Sequence, residues 1–395
     1  MEVKIEKIDN FGRGITYIDN KICFVENALP EEIVDINVTR EHKQYKEAEV
    51  ISYKAISPNR IKEECPFSNI CGGCQLNHMS YEEENNYKEN KVKDIIHKFM
   101  NQEIPINKIK YHERNGYRNK VVLHGSNKKL GYYRNNTNDI IPIQECLLVN
   151  PKISEIIRIL NQTNKSIEEV TIKTSNDNKE ALIDIKGEVE DITPLLQKEN
   201  VVILNDKYLT EKKEINTMID DKRFKVSKSS FFQVNNTLTK ELYDEVKNNI
   251  RKEDRNILDL YCGTGTIGIY VANENQHVTG IDNNPSNIKD ANENKVINQM
   301  NHIQYICNKV ESQVDKLKEY DVIIVDPPRK GLDSNTKEII KNNKYKKIIY
   351  VSCDVYTLAR DLKDLEKYYH IISIQPFNMF PRTYHCESIT ILERR

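Results

Sequence analysis

The segment that most constrains the fold is RNILDLYCGTGTIGIYVA, residues 255–272. An apolar run enters a loop in which Gly263, Gly265 and Gly268 satisfy the pattern G-x-G-x-x-G, and a second apolar run follows. This order predicts a strand, a phosphate-type or cofactor loop and a helix that carries the chain back across a parallel sheet. Strand-like and helix-like runs alternate in the same way from about residue 231. The sequence therefore predicts an α/β, Rossmann-like domain over residues 231–395.

Two carboxylates narrow the choice of cofactor. Asp282 ends the next strand-like run, HVTGID, where a carboxylate can accept hydrogen bonds from ribose hydroxyls. That group suits a nicotinamide dinucleotide and S-adenosylmethionine equally, because both carry adenosine. Asp259 lies on the strand before the glycine loop, where its charge would repel a pyrophosphate but suit a sulfonium cation. The pair favours S-adenosylmethionine and leaves dinucleotide-dependent reduction as the alternative.

Two later strand-like runs are followed by candidate catalytic or binding residues. YDVIIVDPPRKGLD (residues 320–333) places Asp326 at the carboxyl end of a strand, before two prolines that stiffen the loop. An Asp-Pro-Pro sequence in this position is familiar from methyltransferases that act on planar nitrogen heterocycles. KKIIYV then leads into SCDVYTLARD, which puts the Cys353 thiol at the mouth of the sheet. Position alone leaves Cys353 open as a nucleophile or a small packing residue.

The first 55 residues predict a small β-barrel. Apolar and polar residues alternate in short runs, and Gly12, Gly14 and Pro30 mark turns between them. The stretch GRGITYIDNKICFVENALPEEIV resembles a TRAM domain, an OB-like module whose presence implies contact with RNA. A structural barrel without a ligand is the alternative.

A cluster of cysteines opens the central region, residues 56–230, for which we predict an α+β domain. Cys65, Cys71 and Cys74 form a C-x5-C-x2-C array on a turn-rich loop, and Cys146 is the candidate for a fourth ligand. Converging thiolates bind an iron–sulfur cluster or a structural zinc ion, and the spacing does not choose between them. Packing roles are expected for four other cysteines, namely Cys23, Cys262, Cys307 and Cys386.

The most basic part of the chain lies at residues 108–134, after a helix that is predicted over residues 80–100 with Ser80 as its N-cap. Cations that neutralise phosphates and aromatic rings that stack on unpaired bases together favour RNA binding. The alternative is a solvated face of a sheet. The cations are Lys108, Lys110, Arg114, Arg118, Lys120, Lys128, Lys129 and Arg134. The interleaved rings are Tyr111, Tyr117, Tyr132 and Tyr133.

The overall composition excludes some classes of protein. The formal net charge is −1, so RNA must be bound by local patches rather than by the charge of the whole chain. No apolar stretch approaches the ~20 residues of a membrane span, and the first residues lack an export signal. We therefore expect a soluble, monomeric protein of the reducing cytoplasm, with no membrane partner and with cysteines that are thiols or ligands.

Six motifs in order resemble the RNA uridine 5-methyltransferases of the 23S rRNA (uracil-5-)-methyltransferase type. They are the four cysteines at 65, 71, 74 and 146, then SSFFQVN, DLYCGTGTIG, DPPRKGL, YVSCDVYTLARDL and MFPRTYHCE. The resemblance implies a [4Fe–4S] cluster on Cys65, Cys71, Cys74 and Cys146. It implies a cofactor and uracil site lined by Gln233, Tyr261, Asp282 and Asp326. It also implies that Cys353 is the nucleophile and Glu387 the base, with 23S rRNA as the expected partner.

The chemistry of such an enzyme explains these residue types. Thiolate addition at carbon 6 of uracil makes carbon 5 nucleophilic enough to attack the sulfonium methyl group, and a base then removes the proton at carbon 5. We expect the surroundings of Cys353 to lower its pKa. The chain departs from the family at Val355, where Pro is usual and whose loop could be looser, at Asp282 for Glu and at Arg382 for His. Alternative functions are tRNA uridine 5-methylation, nucleic-acid N-methylation at the Asp-Pro-Pro site, and RNA binding without catalysis.

Overall fold

The computed structural model describes the chain except residues 101, 136, 311–319 and 344. It divides into two compact units. We call Met1–Lys91, Tyr132–Ile141 and Phe380–Tyr384 the N-terminal unit. We call Val92–Gly131, Pro142–Met379 and His385–Arg395 the large unit. The predicted division into domains 1–55, 56–230 and 231–395 stays a prediction.

Short strands form the start of the N-terminal unit, as the alternating pattern predicts. They are β1 (Glu2–Lys4), β2 (Lys7–Ile8), β3 (Gly14–Ile18), β4 (Lys21–Glu26), β5 (Ile33–Glu41) and β6 (Tyr45–Ala55). They pair in the order β1-β5-β6-β4-β3-β2. Alternate side chains, among them Val25, Val34 and Ala48, are buried and form one apolar core. The small β-domain therefore rests on period-two alternation.

The helix predicted after the cysteine loop is present as α1 (Tyr81–Phe99). The Ser80 hydroxyl accepts a hydrogen bond from the backbone N–H of Glu83 at 3.2 Å, which confirms Ser80 as the N-cap. Three acidic residues lie in the first turn, where the helix dipole favours them.

Arg382 anchors the segment Phe380–Tyr384 within the N-terminal unit. Its side chain is 1% exposed, and its guanidinium donates to Oδ1 of Asn77 at 3.0 Å and Oε2 of Glu64 at 2.7 Å. Its backbone N–H donates to Oε1 of Glu84 at 2.8 Å. The residue that replaces the family's usual His thus has a structural role that the sequence did not reveal.

We expect Arg382→Met to lower the free energy of unfolding by about 2 kcal/mol, because it leaves the buried Oδ1 of Asn77 without this donor and removes the ion pair with the exposed Glu64. Thermal unfolding followed by circular dichroism measures the effect. Arg251→Met is the matched control, since the Arg251 side chain is 64% exposed and its ion pair with Glu393 contributes little. Equal losses in both variants would contradict the anchoring role of Arg382.

The large unit begins with a mixed sheet and a hairpin. The elements in chain order are β7 (Lys120–Ser126), β8 (Lys129–Tyr133), β9 (Ile140–Pro142), α2 (Pro151–Thr163), β10 (Asn164–Thr174), β11 (Ala181–Val189), α3 (Thr193–Leu196), β12 (Val201–Asn205), β13 (Lys207–Tyr208), β14 (Ile215–Ile219) and β15 (Lys222–Val226). The end of β8 and most of β9 fall in the segment Tyr132–Ile141, which is assigned to the N-terminal unit. Strands β13-β12-β11-β10-β7-β8 are neighbours in that order, and β14 pairs with β15. Helix α2 contacts this sheet and buries Ile153, Ile156 and Leu160. The predicted α+β character of this region is confirmed for the residues described.

Alternating strands and helices complete the large unit. They are α4 (Thr239–Asn248), β16 (Asn256–Leu260), α5 (Thr266–Val271), β17 (His277–Asp282), α6 (Pro285–Ile297), β18 (Ile303–Cys307), β19 (Val322–Val325), α7 (Ser334–Asn343), β20 (Lys347–Ser352), α8 (Val355–Leu365), β21 (Tyr369–Phe377) and β22 (Glu387–Arg394). The strand order is β18-β17-β16-β19-β20-β22-β21. Strands β16 to β20 are parallel, and β22 and β21 form a final antiparallel hairpin. The order reverses on either side of β16, which is where open α/β sheets bind ligands.

Within the described ranges, no helix is long and apolar enough to cross a membrane.

Candidate active site

The carboxyl ends of the central strands gather the candidate site residues at one edge of the sheet. The first residues after β16, β19 and β20 are Tyr261, Asp326 and Cys353. Strand β22 runs antiparallel to β20, and Ser388 pairs with Ser352. Glu387 therefore enters the sheet at the same edge at which Cys353 leaves it. The register alone brings the predicted nucleophile and the predicted base together.

Two carboxyl groups, those of Asp326 and Glu387, lie at this edge. Glu387 is 3% exposed. Burial, reinforced by the charge of Asp326, raises the pKa of Glu387, and the nearby Arg329 guanidinium partly opposes the shift. Burial likewise raises the pKa of Asp326 to about 7. The two carboxyl groups thus retain protons at a pH at which ordinary acids are ionised.

This shift predicts how Glu387→Gln changes stability. The pKa of Glu387 is higher in the folded state than in the unfolded state. The protonated side chain therefore stabilises the fold at low pH, and this contribution is lost as the pH rises from the pKa of the unfolded state through the pKa of the folded state. Glutamine does not titrate, so we expect Glu387→Gln to raise the melting temperature by about 2 °C or more at pH 8 and by less at pH 5. Thermal unfolding at both pH values measures this difference. An equal difference at both would contradict the buried, proton-retaining state.

The predicted lowering of the Cys353 pKa is wrong. Burial, and then the charges of Glu387 and Asp326, raise the pKa of the Cys353 thiol to about 12, and the Arg329 guanidinium only partly opposes them. The physical reason is that the partly buried thiol lies among carboxyl groups that belong to separate motifs in the sequence. Cys353 forms a thiolate readily only when this negative charge is neutralised. Arg329, directly after Asp-Pro-Pro, is a site residue that the motif-based prediction left out.

The loop after the nucleophile is fixed in spite of Val355. Oδ1 of Asp354 accepts the backbone N–H of Thr357 at 2.9 Å and caps helix α8. Val355 fills the first helical position and is 4% exposed, within the core of the large unit. The Ser352 hydroxyl donates to the Asp354 carbonyl at 3.0 Å. The cap by Asp354 and the buried Val355 hold this turn without the family's usual Pro.

The glycine loop provides a cofactor cradle. Asp259 is fully buried, and its Oδ2 accepts the backbone N–H of Gly268 at 3.2 Å. Its Oδ1 is buried without a hydrogen-bond partner, and burial raises the pKa of Asp259 to about 8. Gly263 has a φ of 53°, and a Cβ there would face open space. A buried acceptor beside open backbone fits a ligand that carries a donor or a positive charge, as S-adenosylmethionine does.

Asp282 is oriented by the loop that it faces. Its Oδ2 accepts the backbone N–H of Gly263 at 3.1 Å, and its Oδ1 accepts the N–H of Asn284 at 2.8 Å. Oδ1 also accepts a hydrogen bond from Nδ2 of Asn287 at 3.2 Å, so Oδ2 is the oxygen that keeps a lone pair for a further donor. The predicted ribose contact of Asp282, whose side chain is one methylene shorter than Glu, stays a prediction.

Tyr261 and Gln233 approach the loop differently. The Tyr261 backbone has a φ of 62°, and its hydroxyl donates to Oδ2 of Asp333 at 3.2 Å. Gln233 is 7% exposed and follows Phe231, whose carbonyl accepts the Thr264 hydroxyl of the glycine loop at 3.3 Å. The segment that carries Gln233 therefore contacts the cofactor cradle, while the Tyr261 hydroxyl is used in a structural hydrogen bond.

The cysteines outside the sheet edge give a mixed outcome. Cys65, Cys71 and Cys74 belong to the N-terminal unit and Cys146 to the large unit; all four are partly exposed. Among the residues that the structure describes, no group of three or more Cys, His, Asp or Glu side chains is arranged to hold a metal ion.

The predicted packing roles are confirmed for the buried Cys23, Cys262 and Cys386. The prediction is wrong for Cys307, which is exposed because it ends the edge strand β18.

The basic stretch combines RNA-type and structural residues. Tyr111 is 48% and Tyr133 41% exposed, as base stacking would require. Tyr117 is 1% exposed, so its predicted place among the stacking rings is wrong; it is a core residue. Lys110 pairs with Glu245 at 3.0 Å and is to that extent neutralised. The sequence pattern could not separate these classes, because Lys110, Tyr111 and Tyr117 lie on an irregular segment before β7, where no period tells buried from exposed positions.

Comparisons with known proteins identify the family. Residues 163–395 match the profile of the family described as tRNA (Uracil-5-)-methyltransferase, and residues 1–51 match the TRAM domain. An RNA methyltransferase of Bacillus cereus, described as uncharacterized, is 32% identical over 443 aligned residues, which cover 100% of this chain and 96% of that protein. The chain belongs to the RNA (uracil-5-)-methyltransferase family.

Other relatives of this RNA (uracil-5-)-methyltransferase agree. An RNA methyltransferase of Caldanaerobacter subterraneus, also described as uncharacterized, is 31% identical and covers 100% of this chain and 98% of its own. The crystal structure of the Pyrococcus abyssi tRNA (uracil-54, C5)-methyltransferase in complex with S-adenosyl-L-homocysteine superposes with a TM-score of 0.83. It is 24% identical and covers 99% of this chain and 100% of its own, which shows a shared fold. The predicted S-adenosylmethionine-dependent methyltransferase fold and TRAM domain are confirmed.

Proposed function

We propose that this enzyme methylates carbon 5 of uridine in 23S rRNA, with Cys353 as the nucleophile and Glu387 as the base. The observation that carries the proposal is their convergence: the pairing of β20 with β22 brings both residues to the sheet edge that also carries Asp326. The glycine loop and Asp282 lie on the neighbouring strands β16 and β17. A nucleophile, a base and a cofactor cradle thus belong to one site.

Cys353 begins the reaction. Its thiolate adds to carbon 6 of uracil, forms a carbon–sulfur bond and moves the electron pair of the 5,6 double bond onto the carbon 5–carbonyl system as an enolate. The thiol proton passes to solvent. Carbon 5, now nucleophilic, takes the methyl group of S-adenosylmethionine, which leaves as S-adenosylhomocysteine.

Glu387 ends the reaction. Its carboxylate removes the proton from carbon 5, the carbon–sulfur bond breaks and the thiolate of Cys353 returns. RNA uridine and S-adenosylmethionine thus give 5-methyluridine, S-adenosylhomocysteine and one proton. Arg329 favours the charged forms of both Cys353 and Glu387, because it lowers the pKa of each. Uracil reaches this half-buried site only when it is flipped out of its stack.

The cofactor is assigned to Gln233, Tyr261, Asp282 and Asp326. Asp282 is oriented for the ribose hydroxyls, and Asp326 lies beside Glu387, where it can orient the uracil ring or the methionine amino group. Tyr261 contributes backbone rather than hydroxyl, since the hydroxyl is bonded to Asp333. When it is bound, S-adenosylmethionine supplies an electrophilic methyl group.

A [4Fe–4S] cluster on Cys65, Cys71, Cys74 and Cys146 is a second part of the proposal. Four partly exposed cysteines are a donor set that suits iron–sulfur clusters, and the loop of the first three carries Gly72 and Gly73, which permit sharp turns. The cluster has no step in the reaction. Iron and sulfide analysis of protein purified without oxygen tests it, with Cys307→Ser as the control for a cysteine outside the set. Zinc in place of iron would contradict the cluster.

The choice of 23S rRNA rests on the family resemblance and on the TRAM domain. tRNA is the second candidate, because the matching family and the Pyrococcus abyssi structure carry tRNA in their descriptions. An N-methyltransferase would have no use for Cys353 and Glu387 at one edge.

The decisive experiment incubates the purified enzyme with S-adenosylmethionine and either 23S rRNA or tRNA, and measures 5-methyluridine by mass spectrometry of the digested RNA. We expect 5-methyluridine in 23S rRNA. If 5-methyluridine forms in tRNA alone, tRNA replaces 23S rRNA as the proposed substrate. A methyl group on a nitrogen atom of the base would contradict methylation at carbon 5.

A further inference from the structure

A buried lysine outside the catalytic edge holds a single turn of the chain. Lys173, near the end of β10, is 5% exposed. Its Nζ donates to the carbonyls of Ser227, Lys228 and Ser230 at 2.9, 2.6 and 2.8 Å. An ammonium group has three hydrogens, so this turn uses all of them. In the part of the chain that the structure describes, Lys173 forms no ion pair.

Such a lysine is costly on a buried strand. Lys173 lies directly opposite Lys120 in the register of β10 and β7, and like charges in this position repel. Burial, and then Lys120, lower the pKa of Lys173 to about 8, while Asp290 and Asp184 favour its charged form. An apolar side chain would fill this position without the cost of burying a charge. The three carbonyl contacts are therefore what the lysine contributes.

Asp290 holds the same turn from helix α6. It is 4% exposed, and its Oδ2 accepts the hydroxyls of Ser227 and Ser230 at 2.7 and 2.6 Å. Within the turn, the backbone N–H of Ser227 donates to the Ser230 hydroxyl at 2.7 Å. A cation on one element and a carboxylate on another thus fix residues 227–230 between them.

The turn leads straight into the cofactor cradle. The next residue is Phe231, whose carbonyl contacts the Thr264 hydroxyl of the glycine loop, and Gln233 follows two residues later. Asn294, on the same helix as Asp290, donates to the Thr264 carbonyl at 3.0 Å. The conformation of residues 227–230 therefore sets where Phe231 and Gln233 lie relative to the glycine loop.

We propose that Lys173 and Asp290 are positioning residues, which hold the turn Ser227–Ser230 so that Gln233 reaches S-adenosylmethionine. The inference rests on the proposed role of Gln233 as a cofactor ligand. It places neither residue in contact with the cofactor or the uracil. Loss of either contact set lets the turn move, which weakens cofactor binding and leaves the chemistry of Cys353 and Glu387 intact.

The test is S-adenosylhomocysteine binding to the full chain, measured by calorimetry, together with KM for S-adenosylmethionine and kcat. We expect Lys173→Met and Asp290→Leu to raise both Kd and KM by about tenfold or more, with kcat at saturating cofactor within about threefold of wild type. Asp290→Asn keeps an oxygen that accepts both hydroxyls and should restore near-wild-type binding. Lys186→Met, on the neighbouring strand β11, removes an exposed lysine and is the matched control.

A folded Lys173→Met that binds with wild-type affinity overturns the proposal. Should that variant not fold, Ser230→Ala replaces it, because it removes the contacts of the hydroxyl and leaves Lys173 covered by the three carbonyls. Wild-type affinity in Ser230→Ala also overturns the proposal, and weakened affinity supports it. Wild-type protein that binds no S-adenosylhomocysteine, or a Gln233→Ala variant with unchanged affinity, instead contradicts the proposed function.

Discussion

Cys353→Ala is expected to lower the rate of 5-methyluridine formation by at least about a thousandfold, because carbon 5 of uracil is not nucleophilic without addition at carbon 6. The variant should still bind S-adenosylhomocysteine and fold normally, since the thiol lies at the strand end and is only partly buried. Initial rates with radiolabelled S-adenosylmethionine measure the loss.

Cys307→Ala is the matched control for a single cysteine, because Cys307 is exposed and ends an edge strand. It should retain activity. Wild-type turnover in Cys353→Ala would exclude covalent catalysis and favour direct methylation of a nitrogen atom. Loss of cofactor binding in the same variant would show instead that the substitution damaged the fold of the site.

Glu387→Gln is expected to trap the reaction after methyl transfer. Glutamine cannot take the proton from carbon 5, so the carbon–sulfur bond to Cys353 persists and turnover falls by about two to four orders of magnitude. We expect a protein–RNA complex that survives denaturing electrophoresis and carries one methyl group on the RNA. The double variant Cys353→Ala/Glu387→Gln should form no such complex.

Glu393→Gln is the matched control for this second prediction, because it lies on the same strand β22 and pairs with Arg251 and Lys347 away from the strand's first residue. Normal turnover is expected from it. A Glu387→Gln enzyme that releases 5-methyluridine at the wild-type rate would assign the proton to another base, and Asp326 would be the first to test.

The electrostatics of the edge oppose formation of the thiolate. With Glu387 and Asp326 charged, the pKa of Cys353 is far above neutrality. A proton on this carboxyl pair, or a sulfonium cation beside it, removes the repulsion that opposes the thiolate. In the proposed mechanism, the thiolate of Cys353 therefore forms more readily once this negative charge is neutralised.

Several features could be predicted from the sequence because they depend on neighbours in the chain. The glycine loop between β16 and α5 and the Ser80 cap follow from local spacing. The strands that end just before Asp326 and Cys353 follow from apolar runs. The parallel direction of the strands follows from the helices between them. That Val355 is buried at the first position of α8 could not be predicted, because its burial and the cap by Asp354 depend on packing.

Short motifs in a fixed order are enough to place the chain in its family and to indicate the methyltransferase fold, the TRAM domain and the candidate nucleophile and base. The pKa shifts of the site, the contacts of Arg382 and those of Lys173 with the turn before the glycine loop become visible only in the folded chain. They depend on groups that lie far apart in the sequence and meet through packing. Cys353 was a thiol at a strand end in the sequence; folding surrounded it with Glu387, Asp326 and Arg329.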